Sequence, residues 1–476
     1  MERRCFALLS VLGLFLAPSP SQGGGPFRFT TFELAATPGT TCPGGGSSCA
    51  NAAAEPAIRA DNDGVFYASS ENGLGSGTLA WKSVDGGLHY AALASPNATS
   101  TSSATGFAPG GGDTDVAVAP VKNASGFYNL YVASLNGANV DVSTSQDGGQ
   151  SWSLNPTGAT VPGDDREWIA ADAASKVCIA YHDSASNIDV NCSADAGATF
   201  TQVSSAIDAG HAWLVGNNEI GSLAIDPGSH SVYQVLAGLG DPTEVSCITC
   251  GFHAVWIGVS TDGGQHFTDY PVTVSSDTSI SYAHSFVNVS IDRGGNLYAL
   301  FSDDHDVFYS FSTNGGQGWS SPAQVNQRPS RTAIFPWSTA GAAGKIDIVW
   351  YGTKFFDGVN TPDTYPTSAS WYVFIAQNLQ ATTPGSTFTQ QRATRVIHRG
   401  GVCESGITCT GNRDLFDDFG VAASPTTGRA SIVYSDDRFT HDANDPAQSG
   451  CTKQGTNMPS CDHTSVATQV TGPGIF

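Results

Sequence analysis

Apolar and polar positions alternate along most of the chain in short runs, and each run is closed by glycine, asparagine, aspartate or serine. The stretch around Trp168 shows the plan. Trp168-Ile-Ala-Ala-Asp172 reads as one strand and Lys176-Val-Cys-Ile-Ala-Tyr181 as a second. Asn187 to Ser193 reads as a third, and Phe200-Thr-Gln-Val203 as a fourth. Four short strands joined by tight turns predict one antiparallel blade of a propeller. The same plan begins near Glu55, with Gly64-Val-Phe-Tyr-Ala second, near Asp113, and near Glu219-Ile-Gly-Ser-Leu-Ala-Ile225. It begins again near Phe286, near Phe335 with Lys345-Ile-Asp-Ile-Val-Trp350 second, and near Phe419 with Arg429-Ala-Ser-Ile-Val-Tyr434 second.

One turn recurs between the third and fourth strands as Ser-x-Asp-x-Gly-x-x-aromatic. It reads Ser83-Val-Asp85-Gly-Gly87-Leu-His-Tyr90, Ser145-Gln-Asp147-Gly-Gly149-Gln-Ser-Trp152, Ser193-Ala-Asp195-Ala-Gly197-Ala-Thr-Phe200 and Ser260-Thr-Asp262-Gly-Gly264-Gln-His-Phe267. A further copy, Ser312-Thr-Asn314-Gly-Gly316-Gln-Gly-Trp319, carries asparagine. The carboxylate can accept the turn's own N–H groups. The glycine takes positive φ without steric cost, and the aromatic starts the fourth strand and tucks toward the core. Asp85, Asp147, Asp195, Asp262 and Asn314 are therefore read as structural.

The last unit lacks a fourth strand. Thr464 to Thr471 supplies its third, and the N-terminal run Phe27 to Leu34 alternates without a partner of its own. That run is predicted to close the ring by completing the last blade, which removes an open sheet edge. The expected fold is an all-β propeller of four-stranded blades, seven in number, with six as the alternative.

Composition narrows the setting. Only 13% of residues are charged and 55 are glycine, which suits short strands and tight turns. Residues 1–22 read as a signal peptide: Arg3 and Arg4 precede an apolar stretch, Phe6 to Leu16, too short to span a bilayer. The remainder, 23–476, is expected to be a single domain exported to the extracellular space or the periplasm, with no membrane insertion. Cys5 leaves with the leader. The other cysteines fall into local pairs, Cys42/Cys49, Cys178/Cys192, Cys247/Cys250, Cys403/Cys409 and Cys451/Cys461, which favours disulfides. A net charge of −22 argues against nucleic acid as a partner. The chain is expected to be a monomer.

The repeated turn is the Asp box, and in it the chain resembles the sialidase superfamily over nearly the whole mature length. The resemblance implies a propeller and a glycan or protein ligand. For a sialidase it also implies three arginines around a substrate carboxylate, a tyrosine nucleophile with a glutamate, and an aspartate acid/base. The Arg-Ile-Pro motif of that family has its nearest counterpart here in Ala54-Glu-Pro-Ala-Ile-Arg59-Ala, which differs from it. Such sialidases have six blades.

In a propeller the loops leading into inner strands share one face with the loops between second and third strands. These loops carry Arg166, Arg331, Arg413 and Arg438, with Asp183 and Asp437, the candidates for ligand binding. An arginine can grip a carboxylate through two parallel hydrogen bonds. Asp165, Glu167 and Tyr434 are the candidates for catalytic roles. Carboxylates outnumber arginines on this face, so calcium is a candidate ion, although no run has EF-hand spacing and no cofactor is otherwise required. A non-catalytic propeller binding a protein or glycan through the same face is the alternative reading. No Gly-x-Ser-x-Gly, His-x-x-x-His or phosphate-loop pattern occurs.

Overall fold

In the computed structural model, residues 26–35, 54–97, 110–136, 139–159, 165–406, 409, 413, 415–417, 419–436 and 463–476 are described, with the backbone of 19–20. They form seven antiparallel sheets arranged as a ring. The inner strands are Ala57–Ala60, Thr114–Lys122, Asp165–Asp172, Asn218–Ile225, Asn288–Ile291, Thr332–Ala340 and Gly420–Ala423. Each packs against the inner strand before and after it, and the last packs against the first. The fold is the seven-bladed propeller expected from the strand pattern. The inner strand of blade six starts at Thr332, ahead of Phe335, because the ladder is interrupted between Ile334 and Trp337 and the chain bulges there.

Ring closure follows the expected route. Arg28–Glu33 pairs antiparallel with His463–Thr471, from Arg28 opposite Thr471 to Glu33 opposite Ser465. The short strand Ser19–Pro20 pairs in turn with Thr30 and Thr31. The middle strands of the blades, such as Phe66–Ser70, Val232–Gly238, Leu297–Ser302 and Ala430–Asp436, are buried along their whole length. Each is covered on both faces by neighbouring blades, so apolar residues occupy consecutive positions. Cys178 and Cys192 face each other across a strand pair and are bonded, as are Cys247–Cys250 and Cys403–Cys409. Cys42, Cys49, Cys451 and Cys461 lie outside the described residues, as does the expected leader, 1–22, apart from the backbone of 19–20. Among the described residues no helix is long and apolar enough to cross a membrane.

The repeated turns have one geometry. Asp85 Oδ1 accepts from the N–H groups of Leu88 (3.1 Å) and His89 (3.0 Å), and Asp147 Oδ1 accepts from Gln150 and Ser151 (3.0 and 2.9 Å). Asp262 accepts from Gln265 and His266, Asp195 from Thr199, and Asn314 from Gly318. The preceding serine hydroxyl accepts the second glycine's N–H, as from Gly87 to Ser83 (2.9 Å). The following aromatics are only half-buried, except Phe267, because the fourth strands are the exposed outer edge of each blade.

Each turn also presses on the preceding blade. A Cβ on Gly149 would meet Leu93, on Gly197 Thr144, on Gly264 Cys192, and on Gly316 Val259. Gly87 has φ +88°, and a Cβ there would lie 2.8 Å from Thr468 Oγ1, whose hydroxyl already donates to Gly87 O at 2.7 Å. Gly87→Ala is expected to lower stability by about 1–3 kcal/mol through combined strain and overpacking. Gly86→Ala, with φ +78° but open space around it, should lose only the backbone component, about 1 kcal/mol. Equal urea midpoints for the two variants would contradict this.

Candidate functional site

Inner strands all begin at one face, so loops leading into them meet at a common mouth. Glu55 precedes blade one and Asp113 blade two, while Arg166 and Glu167 open blade three. Glu404, Arg413 and Asp417 lie in the segment before blade seven. Glu71 follows the second strand of blade one, and Asp304 follows that of blade five.

Local backbone geometry sets the directions. Of the nine described non-glycine residues with positive φ, five lie at this mouth: Glu55, Arg166, Asp304, Phe335 and Phe416. Each such residue costs of order 1–3 kcal/mol and is held by its surroundings. At Arg166 the register with the second strand slips between Asp165 and Glu167, so Arg166 leaves the ladder. Its bulged, left-handed backbone (φ 46°) sends the side chain toward blade one.

There Arg166 Nη1 donates to Glu55 Oε2 at 3.1 Å and stands 3.7 Å from Asp113 Oδ2. Its guanidinium lies 4.3 Å over the Trp168 ring and 4.7 Å over Phe286. Arg413 Nη2 reaches Glu55 Oε1 at 3.3 Å and Asp417 Oδ2 at 3.0 Å. Asp417 N–H also donates to Glu55. Across the mouth, His284 Nδ1 lies 2.7 Å from Asp304 Oδ2.

The charge balance is uneven. Glu55, Glu71, Asp113, Glu167 and Asp417 gather around the two guanidiniums of Arg166 and Arg413, and Glu404 stands near Asp304 and Asp417. Burial, then the Asp113, Glu71 and Asp417 charges, push the Glu55 carboxyl well above its ordinary range, and Arg166 only partly offsets them. Glu71 is pushed up to about 8 by burial and by Asp113. Glu167 is raised by burial and then by Asp113, and neither of its carboxyl oxygens has a hydrogen-bond partner. Glu404 is raised by burial, then by Asp304 and Asp417. The hydrogen bond that His284 donates to Asp304 raises the His284 pKa, so the imidazolium is favoured there.

Solvent reaches the two halves of this network differently. Glu55, Arg166 and Glu167 are sealed, at 1%, 4% and 0% exposure. Glu71, Asp113, Asp304, Glu404 and Asp417 are only half-buried. Below the mouth, Trp168 and Trp337 stack with ring centres 5.0 Å apart. Deeper along the inner strands lies an axial cavity of about 600 Å³, lined by small side chains such as Ala117, Ala119, Ala170 and Ala422, with Arg59 and Trp337.

Among the residues expected to form the site, Arg166, Glu167 and Arg413 come together. Arg331 is exposed elsewhere on the rim, 5.4 Å over the Phe356 ring. Asp183 accepts the N–H groups of Ala185 and Asn187 within its own turn. Tyr434 is wholly buried in the largest core cluster, with Trp168 and Tyr351. Asp437, Arg438 and the Asp165 side chain lie outside the described residues. Glu71, Glu404 and His284 were not singled out from the sequence. Glu71 carried a usable signal, since it follows a second strand as His182 and Asp303 do. In a second acidic group, Asp208, His211 and Asp269, the two aspartates exchange backbone N–H bonds (2.8 and 2.9 Å) and His211 Nδ1 sits 3.0 Å from Asp208, while Asp269 Oδ1 has no hydrogen-bond partner.

No protein-family model matches the chain, and no curated protein matches it. Several solved propellers are similar in fold. An α-L-arabinofuranosidase from Fusarium graminearum is 11% identical, with 92% of this chain and 98% of that chain covered and a TM-score of 0.45. A GH74 xyloglucanase from Xanthomonas campestris is 12% identical over 86% of this chain and 53% of its own, with a TM-score of 0.49. The fucose-binding lectin of Aleuria aurantia is 12% identical over 71% of this chain and 94% of its own, with a TM-score of 0.43.

Proposed function

We propose that the mouth is a carbohydrate-processing site that cleaves glycosidic bonds of neutral glycans by carboxyl acid–base chemistry. Glu404 is assigned as the proton donor and Asp304 as its ionised partner. The carrying observation is their placement. Loops of two different blades bring them to the open half of the mouth, and each keeps one buried carboxyl oxygen with no hydrogen-bond partner. Glycoside hydrolysis needs one carboxyl held protonated beside one held ionised. The raised Glu404 and the His284 contact to Asp304 suit those two roles. The resemblance of the turn repeat to the sialidase superfamily supports a glycan as the ligand.

The choice of a neutral sugar rests on electrostatics. A sialoside carboxylate would need free guanidiniums, yet Arg166 and Arg413 both hold Glu55. Carboxyls outnumber them at the mouth, which disfavours an anionic substrate. Their convergence still gives exo-sialidase activity a specific footing as the second reading.

Fluorogenic arabinofuranoside, glucoside, galactoside, fucoside and sialoside substrates separate the readings. Release from a neutral glycoside is expected, and Glu404→Gln should reduce kcat by at least about a hundredfold without changing the melting midpoint. Release from the sialoside alone would establish the second reading. No turnover on any substrate, or full turnover by Glu404→Gln, would leave a glycan-binding or protein-binding propeller in its place.

A further inference from the structure

We propose that Glu55, Glu71 and Asp113, backed by Glu167, form a binding site for a hard divalent cation of calcium type that ties blades one and two together at the mouth. One ligand oxygen from each of Glu55, Glu71 and Asp113 lies within 4.8 Å of the others. Three atoms that close all lie within about 2.8 Å of a common point, so side-chain shifts of a few tenths of an ångström bring them to calcium distances of about 2.3–2.6 Å. All are oxygen donors, the set that selects hard cations over zinc or copper.

Glu167 supplies an independent observation. Its carboxyl has no exposure, neither oxygen has a partner, and the strongest charge it feels is that of Asp113. A buried carboxyl that meets only other carboxyls and one guanidinium is costly unless a positive ligand completes its surroundings. The arginines do not suffice. Arg166 is shared between Glu55 and Asp113, and Arg413 between Glu55 and Asp417. Glu55 Oε1 is taken by the Arg413 guanidinium and the Asp417 N–H, but Oε2 accepts only the Arg166 guanidinium and keeps a second lone pair for an ion. The remaining negative charge is neutralised either by protons or by an ion. A divalent cation does so at neutral pH while binding groups from blades one and two at once, with the Glu167 charge of blade three behind them.

The site is distinct from Glu404 and Asp304, and its test does not depend on glycoside turnover. The full chain, stripped with EDTA and desalted, is titrated with calcium while its thermal midpoint is followed. Terbium is then added and its emission read under tryptophan excitation. Trp168 is a built-in sensitiser, since the Arg166 guanidinium that touches its ring also touches Glu55. The expected result is a midpoint raised by several degrees at millimolar calcium, and terbium emission that calcium displaces. In Glu71→Gln/Asp113→Asn, the midpoint in EDTA should stay near that of the parent, while terbium binds at least roughly tenfold more weakly. If the double variant does not fold, Asp113→Asn alone is read the same way. No calcium response and no sensitised emission at neutral pH would mean that protons alone neutralise the cluster, and would overturn the proposal. A response of equal size in the variants would place the ion elsewhere, for example at Asp208, and would overturn it equally.

Discussion

A chain that starts after Glu33 should show no cooperative unfolding transition. The strand Arg28–Glu33 is the outer strand of blade seven, but its ties reach further. Phe27 N–H donates to Gln391 Oε1 at 3.1 Å and Gln391 Nε2 donates back to Phe27 O at 2.7 Å, which clasps blade six. On the other side, Trp81 Nε1 of blade one donates to Ala35 O at 2.7 Å. Phe27 and Phe29 are each 1% exposed in the main core cluster. Truncating a buried phenylalanine costs about 3–5 kcal/mol, and a whole domain is stable by only about 5–15 kcal/mol. Losing both rings, the strand ladder and the Gln391 clasp therefore removes most of the folding free energy. Scanning calorimetry and near-ultraviolet circular dichroism should show a featureless melt. Phe29→Ala alone should lower stability by about 3–5 kcal/mol and keep the transition. A sharp transition near the parent midpoint in the truncated chain would mean that the ring does not depend on this strand.

That closure was legible in the sequence for a physical reason: an alternating run without a partner and a blade without an outer strand imply one another. The turn repeats were legible because the backbone fixes them locally, through an aspartate bonding its own turn and a glycine at positive φ. The mouth was legible only in part. Residues before inner strands had to meet, and Glu55, Asp113, Arg166, Glu167 and Arg413 do. Which of them pair depends on the bulge at Arg166 and on several left-handed residues, which no period reveals. Tyr434 shows the other limit. Its strand is buried at every position from Ala430 to Asp436, so alternation cannot say which side chains face the axis and which face the next blade. Glu404 lies inside the loop closed by the Cys403–Cys409 disulfide, where strand patterns say nothing.

Stability should fall steeply as pH rises from about 4 to 7, opposite to the behaviour of a protein held by ionised carboxylates. Burial is the first cause for each group concerned. Asp347 is raised to about 7, with Gln377 Nε2 as the partner of Oδ1 at 2.9 Å and none for Oδ2. Asp141 is likewise raised to about 7 despite hydrogen bonds from Asn97, and Asp269 to about 7. A carboxyl with a raised folded pKa keeps its proton in the fold and gives it up when unfolded. Its contribution is complete below the unfolded pKa and disappears as pH climbs through the folded one, here near 7. The turn residues Asp85, Asp147, Asp195 and Asp262 pull the other way: burial would raise them, yet hydrogen bonds from their own turns lower them. They favour the fold above about pH 4 and lose that only in strong acid, and their exposure makes the effect small. Asp347 isolates the larger effect, because it is fully buried and far in sequence and strand position from the mouth. Its ionisation costs on the order of 4 kcal/mol in the fold. Asp347→Asn removes that titration while keeping an oxygen for Gln377. It should melt higher than the parent at pH 8 and flatten the decline between pH 5 and 7 by up to about 1.4 kcal/mol per pH unit. A parent midpoint that climbs steadily from pH 5 to 8, or an unchanged slope in Asp347→Asn, would show that these buried carboxyls ionise within the fold at little cost.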